Sequence, residues 1–138
     1  MPVRTTLVGT KDGRKLCVDS GGDPDGPPVL VHWGTPNSRL HCSPCLEDAT
    51  KRGIHLLSYD RPGYGGSSPH PGRRVVDCVE DVRAIAAAFG IERMASWGIS
   101  GGGPHVLACA ARAPDLICAV VSLASIAPFD AEGLDYFT

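Results

Sequence analysis

Apolar positions along this chain fall into two alternating patterns. Short continuous runs, Val29-Leu30-Val31-His32, Ile54 to Tyr59, Met94 to Trp97 and Ile117 to Ala124, have the length and aliphatic content of strands buried on both faces. Between them lie segments of helical spacing. From Val75 to Phe89, residues Val75, Val79, Val82, Ile85, Ala86 and Phe89 share one broad face, and Asp77, Glu80, Asp81 and Arg83 lie mostly away from it. Gly90 is placed to cap that helix. Gly53 does the same for a helix predicted over Ser38 to Arg52, with Pro44 in its first turn. Gly101 to Ala113 reads as a third helix. Near the N-terminus, Arg4 to Gly9 and Lys15 to Ser20 flank the turn Lys11-Asp12-Gly13-Arg14 and predict a hairpin, and Gly21 to Pro28 is a loop.

Strands that alternate with helices predict an α/β fold with a mainly parallel sheet and flanking helices. Ligands of such sheets bind at the C-terminal ends of the strands. Three loops rich in Gly, Pro and Ser leave those ends: His32 to Ser38, Asp60 to Ser68 and Gly98 to Gly103. No repeat or linker divides the 138 residues, so residues 1–138 are read as part of one domain.

Bulk properties narrow the picture by exclusion. A net charge of −2 gives no electrostatic reason to expect nucleic acid or an anionic membrane as partner. No apolar run approaches the roughly 20 residues of a spanning helix, and Met1 to Thr6 lacks the apolar core of a secretory signal, which places the chain in the cytoplasm. The six cysteines are then expected as reduced thiols, with Cys17, Cys78, Cys109 and Cys118 acting as small hydrophobes. Cys42-Ser43-Pro44-Cys45 is a lone C-x-x-C with no second pair or histidine pair to complete a zinc site. It supports only a minor redox reading, and neither metal nor cofactor is expected.

The most informative stretch is Gly98-Ile99-Ser100-Gly101-Gly102, a G-x-S-x-G between a predicted strand and a predicted helix. A serine on so sharp a turn has its hydroxyl pushed out beyond the sheet, and the following helix brings free N–H groups and a positive dipole end beside it. Serine at such a place is also a common helix N-cap, so its neighbours must decide.

Those neighbours resemble the α/β-hydrolase superfamily. His32-Trp33-Gly34-Thr35-Pro36 is similar to its oxyanion loop, and Asp60-Arg61-Pro62-Gly63-Tyr64-Gly65-Gly66-Ser67 to its D-x-P-G-x-G-x-S loop. The Ser100 turn is similar to its nucleophile elbow, and the three motifs follow in the family's order. The resemblance implies Ser100 as nucleophile and the backbone N–H groups of Gly101 and Thr35 as the oxyanion hole. Trp33 in place of the family's simpler pattern leaves room for a one-residue shift onto Trp33 or Gly34. Backbone donors of this kind lower a barrier by ~3–4 kcal/mol each. Trp33, Gly34 and Ile99 are expected to face substrate. His32 is expected to support its loop through hydrogen bonds, and Asp60 to organise its own loop with Arg61. His105, five positions after Ser100 on one helix, points away from the serine and is expected to be packed or half-exposed.

A serine hydroxyl needs a base, and the base an orienting carboxylate. Family members run to about twice this length, with both groups late in the chain. The sequence is therefore expected to be the N-terminal half of a hydrolase, ending after about the sixth strand, with residues 127–138 leading toward a cap. Of the local positions for an acid, Ser125, Asp130 and Glu132, Asp130 is preferred. The strand Ile117 to Ala124 would be an apolar edge open to self-association. The function expected is hydrolysis of an ester, amide or related small-molecule acyl substrate. The alternative is a catalytically inactive hydrolase-fold fragment that binds a partner or ligand.

Overall fold

A computed structural model describes residues 3–126. Its elements are β1 (Arg4–Gly9), β2 (Lys15–Gly22), β3 (Pro28–His32), α1 (Ser43–Lys51), β4 (His55–Tyr59), α2 (Cys78–Phe89), β5 (Met94–Ile99), α3 (Gly103–Arg112) and β6 (Ile117–Leu123). The strands form one sheet in the order β1-β2-β4-β3-β5-β6. The run β4-β3-β5-β6 is parallel, as the strand–helix alternation predicts. The hairpin β1–β2 adds an antiparallel edge to it. Gly13 turns that hairpin at φ 84°, a conformation glycine adopts without steric cost.

β3 sits at the centre, and its side chains alternate between two cores. Leu30 packs with Leu57, Val82, Ile85, Met94 and others in the larger cluster, which α2 and α3 cover. Val31 points the other way, to a smaller cluster with Ala49 of α1 and Leu56 of β4. Residues of period two buried on both faces are what a central parallel strand requires. Because β3 pairs with β4 through Val31–Ser58 and with β5 through His32–Gly98, the ends of all three strands lie together at one margin of the sheet.

Several sequence-based expectations are corrected. The first helix begins at Ser43, not Ser38, because Arg39 is held in the preceding loop by Asp60 and Asp19, and Pro44 suits only a first helical turn. The second helix opens with a tight 3₁₀ turn at Val75–Asp77, so Val75 lies outside the buried face. Asp81 is not on the solvent side. It is buried and bonded at 2.8 Å to Arg14 from the hairpin, and burial raises its carboxyl above the usual range. Cys42 and Cys45 are joined by a disulfide rather than reduced, since the first turn of α1 brings their Cα atoms to 5.4 Å. Cys17, Cys78 and Cys109 are buried free thiols as expected, whereas Cys118 is exposed on β6.

β6 is the outer strand among the described residues, and Val121 and Leu123 on it are 52% and 45% exposed. No helix among those residues is long and apolar enough to cross a membrane. The expected lead toward a cap, with Asp130 and Glu132, lies outside the described residues.

Candidate active site

Strand β5 ends in extended backbone at Ile99, and Ser100 then turns to φ 52°. A non-glycine residue in this left-handed region costs ~1–3 kcal/mol and persists only where its surroundings impose it. Those surroundings are glycines. A Cβ on Gly98 would stand 2.5 Å from the Gly102 carbonyl oxygen, one on Gly102 would strike the His32 carbonyl, and one on Gly103 would meet Ser125 Oγ and come within 2.7 Å of Ser122 Oγ. The chain around Ser100 therefore packs directly against the end of β3 and the exit of β6. The result is an exposed Ser100 at the head of a 3₁₀ turn, Ser100–Gly102, that runs into α3. The first N–H groups of such a turn have no acceptor within it.

The loop after β3 lies against this turn. A Cβ on Gly34 would be 3.3 Å from Ser100 Cβ and 3.9 Å from Ser100 Oγ. A Cβ on Gly101 would meet Thr35 Oγ1 and lie 3.2 Å from the Thr35 nitrogen. Ser100, Gly101, Gly34 and Thr35, singled out from sequence, are thus brought together at one spot. Trp33 is half-buried: its ring packs edge-on against Trp97 at 5.2 Å and lies edge-on to His41 at 6.5 Å, against the smaller core. Ile99 is half-buried, and its carbonyl lies 3.4 Å from where a Gly34 Cβ would stand.

Asp60 is fully buried at the end of β4. Its carboxylate accepts the Arg39 backbone N–H at 2.8 Å, Arg39 Nη1 at 2.7 Å and the Gly66 N–H at 2.8 Å, while Ser67 Oγ donates to its carbonyl at 2.6 Å. Arg39 Nε also reaches Asp19 at 2.9 Å. Asp60 does organise its loop, but with Arg39 in place of the expected Arg61. Arg61 instead crosses to the neighbouring loop, where it donates to the carbonyls of Trp33 and Gly34 and to Thr35 Oγ1. Neither link was readable from sequence, since Arg39 and Asp60 meet only through the β3–β4 pairing.

Two imidazoles lie under the site. His32 is fully enclosed, edge-on to Tyr59 at 5.6 Å and stacked on His105 at 6.1 Å. Neither of its ring nitrogens has a hydrogen-bond partner among the described residues, so its support of the loop is by packing and not by the expected hydrogen bonds. Burial, with His105 and Arg61 nearby, pushes its pKa down to about 3. His105 is buried, the packed one of the two expected arrangements. Its Nδ1–H donates to the Gly101 carbonyl at 2.9 Å, which leaves Nε2 as the unprotonated nitrogen. Burial and the Arg61 charge lower its pKa to about 4. The i, i+4 relation of Gly101 to His105 was the available sequence signal for this bond. Both rings are neutral in the neutral pH range, and neither is hydrogen-bonded to Ser100.

A cavity of 710 Å³ lies between the hairpin and α2, lined by Leu7, Arg14, Arg83 and Ala84 among others, and includes no residue of the Ser100 turn. Among the described residues no cluster of three or more His, Cys, Asp or Glu side chains could hold a metal ion.

Comparison with known proteins agrees with this fold. A family profile described as the alpha/beta hydrolase fold matches residues 27–136. The chain is 29% identical over 123 residues to a non-heme chloroperoxidase of Streptomyces lividans, covering 88% of this chain and 45% of that protein. It is 30% identical over 124 residues to a proline iminopeptidase of Xylella fastidiosa, covering 83% of this chain and 37% of the other. A crystal structure of a hydrolase from Pseudomonas aeruginosa PA01 superposes with a TM-score of 0.82 at 25% identity, covering 92% of this chain and 49% of that one. The chain spans less than half the length of these relatives.

Proposed function

The chain belongs to the α/β-hydrolase family, and from that premise we propose that it carries the nucleophile and oxyanion hole of a serine hydrolase acting on a small-molecule ester, amide or related acyl compound. The observation that carries this reading is the convergence at Ser100: a strained, exposed serine with the Thr35 nitrogen beside the start of its own 3₁₀ turn. Ser100 Oγ attacks the acyl carbon as its proton passes to a base, and the carbonyl oxygen becomes an oxyanion that the Thr35 and Gly101 N–H groups stabilise. Collapse expels the leaving group and leaves an acyl-serine, which water then hydrolyses. Gly34 leaves room above Ser100 for the acyl group.

In this reading the base and its carboxylate come from outside the described residues, since His105 is bonded to the Gly101 carbonyl and His32 is enclosed beneath the site, and neither reaches Ser100. That same fact favours the second reading, a hydrolase fold that binds a ligand or partner without turnover. A fluorophosphonate probe separates the two. In the proposed enzyme the purified gene product is labelled on Ser100, located by peptide mass spectrometry, and Ser100→Ala abolishes both labelling and p-nitrophenyl acetate hydrolysis. Absence of labelling at Ser100 in folded protein would leave the binding reading standing.

A further inference from the structure

Arg61 is a buried cation, 5% exposed, and none of the ion pairs among the described residues includes it. Placing a guanidinium there is costly unless its donors are used. They are used on one object, the loop after β3. Nη1 donates to the Trp33 carbonyl, and Nη2 to the Gly34 carbonyl at 3.3 Å and to Thr35 Oγ1 at 3.2 Å. The Tyr64 ring lies against the guanidinium, 5.5 Å from Cζ to ring centroid. The Asn37 N–H donates to the same Gly34 carbonyl at 2.8 Å, so this oxygen is gripped by two donors.

The Gly34–Thr35 peptide is trans. In a trans peptide the carbonyl and the N–H point in opposite directions. Holding the Gly34 oxygen on the Arg61 side therefore aims the Thr35 N–H away from Arg61, and the Thr35 nitrogen lies 3.2 Å from the Gly101 Cβ position. A donor on the carbonyl also polarises the peptide and strengthens its N–H as a donor in turn.

We propose that Arg61 is a positioning residue that fixes and polarises the Gly34–Thr35 peptide as one half of the oxyanion hole. This rests on the serine-hydrolase reading of Ser100. Its effect belongs to the transition state. The substrate carbonyl needs little from the Thr35 N–H, whereas the oxyanion needs it already oriented. Lysine cannot reproduce the role, for one ammonium cannot serve both carbonyls and Thr35 Oγ1 in the fixed geometry of a planar fork.

The test is Arg61→Lys and Arg61→Gln in the purified gene product, with p-nitrophenyl acetate as substrate and Ser100→Ala as reference. Both variants are expected to lose about 10- to 100-fold in kcat, with KM within about threefold of the parent, as for a displaced group that acts in the transition state. Should Arg61→Gln fail to fold, Arg61→Lys, which keeps the charge and the aliphatic stem, carries the test alone. A second readout is the amide proton of Thr35. It is expected to move downfield when Ser100 is phosphonylated in the parent, and to move much less in the variant. An unchanged kcat and an unchanged Thr35 shift in folded variants would overturn the role of Arg61 while leaving Ser100 as nucleophile. In a gene product that includes the base, a parent protein whose activity and labelling survive Ser100→Ala, or that has none, would overturn the serine reading and the role of Arg61 with it.

Discussion

Gly101 carries two separate requirements in a residue without a side chain. Its place at the start of the 3₁₀ turn leaves its N–H free, and the lack of a Cβ lets the Thr35 nitrogen come close. Gly101→Ala should therefore damage chemistry more than folding. The added methyl meets Thr35 Oγ1 and pushes the opposing loop out, and the expected loss in acylation rate by stopped-flow is about 10²-fold, comparable to removal of one oxyanion donor. A rate within threefold of the parent would mean that the two N–H groups do not act on one oxygen. The Ser100 turn was legible in the sequence because a local rule, small residues around a strained serine, is written in adjacent positions. The partners of Arg61 were not, since its donors act on Trp33, Gly34 and Thr35, more than twenty positions earlier in the chain.

Buried charge joins apolar packing in holding the elements around the site. Asp60 ties the loop after β4 to the segment before α1, and Arg39 carries the link on to Asp19 of β2. Asp60→Asn keeps the shape but turns an amide NH₂ toward groups that are themselves donors. The expected cost is roughly 2–4 kcal/mol, at the lower side of a broken buried pair because Arg39 retains Asp19. It should appear in urea unfolding as a lower midpoint with an unchanged slope. A change below about 1 kcal/mol would show that Asp60 is dispensable to the loop arrangement. At this scale the helical face Val79, Val82, Ile85 and Ala86 was legible from its period. The start of α1 and the burial of Asp81 were not, because Arg39 and Arg14 approach from other elements and override the local pattern.

Across the whole molecule, the two buried imidazoles predict acid sensitivity. Their folded pKa values, about 3 for His32 and about 4 for His105, lie below the ordinary 6.5, so the unfolded chain takes up these protons first. Their contribution is complete above about pH 6.5 and is lost as pH falls toward 4 for His105 and 3 for His32, with a slope of up to about 1.4 kcal/mol per pH unit for each ring. Asn at position 105 can still donate to the Gly101 carbonyl but does not titrate. His105→Asn should therefore flatten the fall in unfolding free energy between pH 6 and 4 by about one proton. An acid limb identical in parent and variant would show that His105 is not buried neutral in the folded protein.

What the sequence determined by itself was the order of strands and helices, the three loops at the strand ends and the serine at the turn. Each of these depends on residues close together in the chain, through a period of two or 3.6 or through the backbone freedom of glycine. The tertiary structure alone decided which groups those loops present to one another. It put Arg61 on the carbonyls beside Thr35, Arg39 on Asp60, and His105 against His32. The physical reason is that β3 lies between β4 and β5 in the sheet although it precedes both in the chain. Strand pairing, which no local pattern encodes, is what brings three separate loops to a single serine.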